Sequence, residues 1–454
     1  MKEPQRTMET SWEKYFEKVI QPIEEFIRYK ASGAMLLFLC AVASFALVNS
    51  QFHDRFESIL KAEISITGAG LFLHMSVHHW INDGLMALFF LLMGLEIKRE
   101  ILVGELSRPR QALLPILAAA GGMAAPAAIY LLFNPAPPNS LGWGVPMATD
   151  IAFSVGILYI LGDRIPRPLF VFLISLAIVD DIGAVLVIAL YYSHDINTGY
   201  IYLMAATLAA LTVMNRIGVR SLIYYAIGGV ILWTATLESG LHATIAGVLL
   251  AFAIPARPRK EPASFSDQAR GLMARFDAAR DEREDILINN EQRAIIFSLM
   301  VGARDALTPL QRMEHILHMP VSFLVMPLFA LANAGVVMEA DFLGQAWSHP
   351  ITLGVTAGLL AGKVLGVFGV SALAVWSKIV DLPAGTTYRH LLGAGFLAGV
   401  GFTMSIFIAE LAFASAHSLS LAKVGVLAGS AFSAVIGMIL LSLGASPADK
   451  QSGD

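Results

Sequence analysis

Apolar residues fill twelve stretches of the chain, at roughly 31–48, 77–97, 112–133, 145–161, 168–192, 200–214, 221–237, 241–254, 319–338, 351–376, 391–413 and 421–444. Polar residues collect between them. Several stretches fall short of the ~20 residues that a straight membrane span needs, so broken or tilted helices are expected. The pattern predicts an all-α fold, a polytopic membrane bundle of about 12 transmembrane helices. Ahead of the first stretch, Trp12, Tyr15, Phe16, Val19, Ile20, Ile23, Phe26 and Ile27 recur at helical spacing with Glu and Lys opposite them. Residues 1–30 therefore predict an amphipathic helix on the membrane surface or against the bundle.

Two connections are long. Residues 49–76 contain a short alternation over Ala62–Ser76 that suits a hairpin. Residues 255–318 are polar, with ten basic and ten acidic residues, and read as helical around 268–285 and 287–318. They predict a helical insertion on the cytoplasmic side of the transmembrane domain 31–444, with 445–454 as a tail. Segment 4 reads Val145-Pro146-Met147-Ala148-Thr149-Asp150, and segment 11 carries Gly393, Gly395, Gly399 and Gly401. Proline removes a backbone donor and each glycine weakens a helix by ~1 kcal/mol, so both segments are expected to be discontinuous. They are the middle members of two oppositely oriented triplets, the signature of inverted-topology repeats around a midplane site.

Composition agrees with this picture. Apolar types make up 56% of the 454 residues and charged types 15%, with mean hydropathy +0.66. Soluble chains carry about 25% charged residues, so the apolar excess faces lipid. A net charge of −4 argues against a nucleic-acid partner. The lone Cys40 excludes an internal disulfide and a cysteine metal site. The mixed-charge first thirty residues do not read as a cleavable signal peptide, which leaves the first apolar segment as an uncleaved anchor. With both termini inside, nearly all Lys and Arg fall on the inner face and only Arg55, Lys61 and Lys423 outside, as the positive-inside rule requires.

Four ionisable residues sit deep in apolar surroundings: Asp150, Asp180, Asp181 and Lys363. Uncompensated, they would cost on the order of 10–14 kcal/mol, comparable to a domain's stability, so they must be paired, solvated or protonated. Asp180 and Asp181 are adjacent within Leu176-Ala177-Ile178-Val179-Asp180-Asp181-Ile182-Gly183. Close, buried carboxylates resist joint ionisation, so such a pair can hold protons and release them when a cation arrives. Carboxylate oxygens are also what a hard, dehydrated cation wants. Occupancy by H⁺ or by a metal ion is then mutually exclusive, the minimum that exchange requires. Lys363 could instead form a buried salt bridge to one aspartate, which does not exclude function. Asp150, behind Thr149 in broken segment 4, could offset helix N-terminal dipoles, and Lys363 helix C-terminal ones.

At these residues the sequence resembles the NhaA-type sodium/proton antiporters. The resemblance rests on Ala177–Gly183, Ala148-Thr149-Asp150-Ile151-Ala152-Phe153 and Gly362-Lys363. It also rests on Gly94-Leu95-Glu96-Ile97-Lys98-Arg99-Glu100, Gly240-Leu241-His242-Ala243-Thr244 and Gly401-Phe402-Thr403-Met404-Ser405-Ile406-Phe407. It implies electrogenic, pH-regulated exchange of Na⁺ or Li⁺ for H⁺ by alternating access across a bacterial inner membrane, with no cofactor and no enzymatic activity. Asp180 and Asp181 would bind the transported Na⁺ and carry protons, with Lys363 partnering Asp180 and Thr149 and Asp150 lining the crossing of the broken helices. The resemblance further assigns pH sensing and cation attraction to Glu96, Glu314, His315 and His318, and accessory places to Asp83 and His242. His242 reads equally as a helix-packing residue, and Glu314, His315 and His318 as a solvated helix face. His74, His78 and His79 read as surface histidines near the outer hairpin, which in the family supports a homodimer. The insertion around 256–310 and the extended N-terminus depart from the family pattern, and Glu410 has no role in it.

Two other functions compete. A proton-coupled symporter of another small substrate would need a richer polar or aromatic lining. An intramembrane aspartyl protease needs two aspartates facing one water from two helices, whereas Asp180 and Asp181 adjoin on one.

Overall fold

A computed structural model describes residues 31–68, 71–193, 196–259, 262–279, 289–337 and 340–444. The helix expected over 1–30 and the tail 445–454 lie outside the described residues. Among the described residues, seven helices are long and apolar enough to cross a membrane, from Pro109–Phe133 to Ala416–Leu443. Two bent pairs raise this to nine if each is one span: Ser32–Val48 with His53–Lys61, at 113°, and Tyr388–Ala398 with Phe402–Ala412, at 42°. The remaining apolar stretches are shorter as helices for local reasons. Residues 241–254 yield only the nine-residue helix Ile245–Ala253, because Gly240 turns the chain at φ 81°. Helix Met86–Val103 ends in the charged run Glu96, Lys98, Arg99, Glu100.

The alternation over Ala62–Ser76 forms an antiparallel hairpin of Glu63–Gly68 and Leu71–Ser76, pairing Glu63 with Ser76 and Ile66 with Leu73. In the insertion, the single helix expected over 287–318 is divided into Asn290–Ala306 and Pro309–Pro320. The divider is a capping box. Thr308 Oγ1 accepts from the Gln311 amide at 3.1 Å, Gln311 Oε1 accepts from the Thr308 amide at 3.1 Å, and Pro309 occupies the first turn. These groups satisfy orphan N–H donors at a new helix start, which outweighs continuing the preceding helix.

The chain forms two compact units. The first holds, among the described residues, 31–61, 110–184 and 326–444. Its core includes Leu114, Ala118, Ile157, Leu173, Leu176, Val367 and Leu397, all buried. Helix Pro109–Phe133 and the stretch Pro350–Trp376 cross backbone to backbone through glycines. A Cβ at Gly366 would lie 2.1 Å from the Gly121 carbonyl oxygen, and one at Gly362 would lie 2.6 Å from Pro126 Cα. Around this crossing the stretch is π-helical over Gly358–Gly362 and Val364–Gly369, on either side of Lys363. The wider π turn re-aims side chains relative to an α-helix and recurs at functional sites.

The second unit holds, among the described residues, those of 62–109 and 185–325. In it, helix Ile245–Ala253 lies on Met86–Val103, with Gly94 against Ala251 and Gly247 against the Ala87 carbonyl. Lys98 Nζ donates to the carbonyls of Ala251, Phe252 and Ile254, a cation on the electronegative end of that short helix.

The glycine crossing carries a prediction. Gly366→Ala, which must push backbone apart, is expected to cost about 1–3 kcal/mol. It should lower the thermal unfolding midpoint in detergent, whereas Gly369→Ala, three residues on with open space around its Cα, should leave it unchanged within error.

Candidate functional site

The first unit gathers Thr149, Asp150, Asp180, Asp181 and Lys363, all at most 3% exposed. Beside them the helical backbone is interrupted in two places. After the 3₁₀ stretch Asn139–Met147, which contains Pro146, the backbone runs extended through Ala148–Asp150 before helix Ile151–Leu161 begins. Helix Tyr388–Ala398 stops at Gly399, and Phe402–Ala412 resumes after Gly401. The expected interruption of residues 391–413 thus falls at Gly399–Gly401, while Gly393 and Gly395 stay within the helix. The two breaks touch: the Asp150 amide donates to the Val400 carbonyl at 2.7 Å, and Thr149 Oγ1 donates to the Ala398 carbonyl at 2.8 Å.

Asp150 serves both helices that start here. Its Oδ1 accepts from the Phe153 amide at 3.1 Å, as the N-cap of its own helix. Its Oδ2 accepts from the Thr403 amide at 3.1 Å and from the Thr403 hydroxyl. A single negative charge therefore meets two positive helix ends. Ser430 adds a second hold on the same helix start, its Oγ accepting from the Gly401 and Phe402 amides at 3.2 and 3.1 Å. In the sequence Thr403 belongs to the motif Gly401–Phe407 without a role of its own, and Ser430 gives no signal, since a threonine or serine in an apolar run leaves the periodicity unchanged.

Lys363 reaches the crossing from its π-helical stretch. Its Nζ lies 2.6 Å from Asp180 Oδ2 and donates to Thr149 Oγ1 at 2.9 Å. Both charged side chains of that pair are fully buried. Asp181 also lies within the electrostatic reach of Lys363. Thr149 is a relay: it accepts from the lysine and passes its own proton donor to Ala398, the last residue of a helix whose carbonyl end is electronegative. The lysine stem passes close to Gly122, where a Cβ would sit 3.8 Å from its Cδ. Asp180 Oδ1 is buried and has no hydrogen-bond partner among the described residues. Thr149 also acts on the Asp180 carboxylate through its side chain and backbone, so the lysine, the threonine and the aspartate form one buried polar group.

A profile of the family described as Na⁺/H⁺ antiporter 1 matches residues 24–441. The chain belongs to this family. Among curated antiporter-family relatives, it is 46% identical to the "Na(+)/H(+) antiporter NhaA" of Syntrophobacter fumaroxidans over 99% of this chain and 96% of that one. It is 45% identical to the "Na(+)/H(+) antiporter NhaA" of Sulfurimonas denitrificans over 95% and 97%, and 43% identical to "Na(+)/H(+) antiporter NhaA 1" of Saccharophagus degradans over 95% and 93%. These relatives are transporters, not enzymes, and the apolar helices of this chain are those of a multi-pass membrane protein of the antiporter family.

The other residues singled out for the antiporter lie in the second unit. Glu314 is ion-paired with Arg99, whose other amine group lies 3.7 Å from Glu100. Glu96, half-buried, lies within the fields of Glu314, Arg99 and Glu100. His315 and His318 share the helix of Glu314 but are exposed. Asp83 sits in the π-helical turn Trp80–Leu85, and its carbonyl accepts from Trp233 Nε1 at 2.9 Å. His242 donates to the Tyr192 carbonyl at 2.8 Å, a contact that ties two segments together. His74 bonds Glu63 and Ser65, His78 bonds Asn82 and His79 bonds Ser76. Glu410, which had no assignment, is 2.7 Å from Lys423 in a nearly buried pair.

Removing one partner of a buried ion pair strands the other charge. Lys363→Ala should destabilise the protein by about 3–5 kcal/mol. The Lys363→Met/Asp180→Asn double variant should recover most of the lost thermal stability in detergent, and equal destabilisation of the two variants would contradict the pairing.

Proposed function

We propose that the protein exchanges Na⁺ (or Li⁺) for H⁺ across a bacterial inner membrane by alternating access, with Asp180 and Asp181 as the site that the cation and protons contest. The observation that carries this reading is the buried Lys363–Asp180 pair, 2.6 Å apart, with a second carboxylate beside it. A lysine and two carboxylates at one point hold at least one proton in the resting state. An arriving Na⁺ competes with the lysine for carboxylate oxygen, and a displaced ammonium in an apolar site gives up its proton. The cation thus expels the protons that its own binding makes unfavourable. Where more than one proton leaves for each Na⁺, net charge moves and the exchange is electrogenic. A lysine already paired to Asp180 also argues against an aspartyl protease, which needs a proton shared between carboxylates.

The breaks at 148–150 and 399–401 are, in this account, the crossing of two discontinuous membrane helices at the midplane of inverted repeats in a bundle of about 12 helices. Irregular backbone at that depth is tolerated where protein surrounds it. Asp150, Thr149 and Lys363 offset the helix ends, so the crossing can shift without baring a charge. Asp83 and His242 are accessory to the exchange. Both termini lie in the cytoplasm, as does the insertion 255–318. Glu96, Glu314, His315 and His318 form the cytoplasmic pH-sensing and cation-attracting group. Glu314 is tied to Arg99, and Glu96 lies within the fields of both, so a change of charge in this group reaches all three. The hairpin 62–76 pairs with a second copy in a homodimer.

Everted vesicles or proteoliposomes holding a pH gradient test the exchange. Addition of Na⁺ or Li⁺ should dissipate the gradient with wild type, and the Asp180→Asn/Asp181→Asn variant should reduce the rate to the protein-free background. Full activity in that variant would sink the assignment.

A further inference from the structure

Helix Asn290–Ala306 of the insertion is apolar on two faces, and its neighbour in the chain covers one of them. The covered face carries Gln292, Ile295 and Gly302, all buried. It rests on helix Pro262–Ala278: a Cβ at Gly302 would lie 3.1 Å from the Phe265 ring, and Gln292 Nε2 donates to the Phe276 carbonyl at 3.3 Å. Asn289 closes the same contact. Its Oδ1 caps the helix by accepting from the Gln292 amide at 3.0 Å, and its Nδ2 donates to the Ala279 carbonyl at 2.9 Å. A helical hairpin held in this way needs no apolar residue on its outer side.

The outer side is nevertheless apolar. Phe297, Met300 and Val301 are 61%, 62% and 56% exposed. With Arg293 and Arg304, also exposed, they fall at the i, i+4, i+7, i+8 and i+11 positions of one face, opposite the covered one. Apolar side chains scattered singly over a surface are ordinary, but three that adjoin on one stripe form a patch, and a patch marks a contact.

What covers the stripe follows from where the helix ends. Only Leu307 and Thr308 separate Ala306 from Pro309, the first residue of the membrane span Pro309–Asn333. Leu307 is exposed, and so are Ile316 and Met319 further along the span. The apolar surface of the helix is thus continuous in sequence with the lipid-facing surface of a span, and two residues of linker keep the helix end at bilayer level. An apolar stripe with an arginine at each end is the composition of a helix that lies in the interface plane. Its apolar side meets the boundary of headgroups and acyl chains, and its guanidiniums reach back to water.

We propose that helix Asn290–Ala306 lies in the bilayer surface, with Phe297, Met300 and Val301 inserted below the headgroups. The insertion is then anchored to lipid along one helix rather than projecting into solution. It departs from the family pattern, so the anchor is a property of this chain and stands apart from the exchange reading. Apolar side chains carry the contact, so no particular headgroup is required.

The test uses the full chain with Cys40→Ala, reconstituted in phosphatidylcholine vesicles, with a single environment-sensitive fluorophore attached to Met300→Cys or to Ser298→Cys. Ser298 is exposed on the same helix but lies off the stripe. The label at position 300 should emit to the blue of the label at 298. It should lose more intensity to a nitroxide high on the lipid acyl chain than to one near the chain end, because interfacial helices sit only about 5–10 Å deep. The label at 298 should emit as in water and keep its intensity. Val301→Cys, on the same stripe, serves if Met300→Cys does not reconstitute. Labels on and off the stripe that respond alike overturn the proposal. A blue-shifted label on the stripe that no lipid nitroxide quenches also overturns it, because protein and not lipid then covers that face.

Discussion

The ion pair between Lys363 and Asp180 is the constraint around which the first unit is arranged. A lysine ammonium and a carboxylate, each fully buried, are tolerated only while they face each other, since the loss of either leaves a charge in a medium that cannot solvate it. Thr149 takes a second ammonium proton, and the π-helical turns on both sides of Lys363 direct it to the crossing, where Gly122 admits the Val367 side chain one turn on. Replacing a buried ion pair by apolar residues of similar volume is often neutral or stabilising, so charge at this point argues for a use that needs charge.

The broken helices follow from the same logic. A helix that runs unbroken past this point would satisfy its own backbone and present no helix ends to these side chains. Stopping at Met147 and Ala398 and restarting at Ile151 and Phe402 creates two positive and two negative helix ends close together. Asp150 answers the first kind directly and Thr149, backed by Lys363, the second. The crossing is thus electrically balanced by side chains rather than by backbone continuity.

Much of this was legible in the residues. Charged side chains in apolar runs are rare enough to identify Asp150, Asp180, Asp181 and Lys363 on their own, and Pro146 with Gly399 and Gly401 marks the breaks. The hairpin at 62–76 follows from its alternation. What could not be read is what depends on three-dimensional neighbours. Thr403 and Ser430 are ordinary helix residues in sequence, yet they hold the start of helix Phe402–Ala412 from two sides. Periodicity also misses π-helical turns, because one extra residue per turn leaves an apolar run apolar. The division of 287–318 turned on Thr308, Pro309 and Gln311, a capping signal overlooked beneath a continuous helical pattern. Glu410 became explicable only when Lys423 of a later helix was found beside it.

The central claim is that Na⁺ and H⁺ compete for the same carboxylates, and the proton count on binding tests it most directly. Na⁺ added to detergent-purified protein in weakly buffered solution should acidify the medium, saturably. The released protons should disappear in the Asp180→Asn/Asp181→Asn variant. Saturable Na⁺ binding with no proton release, or release that persists in that variant, would contradict the account.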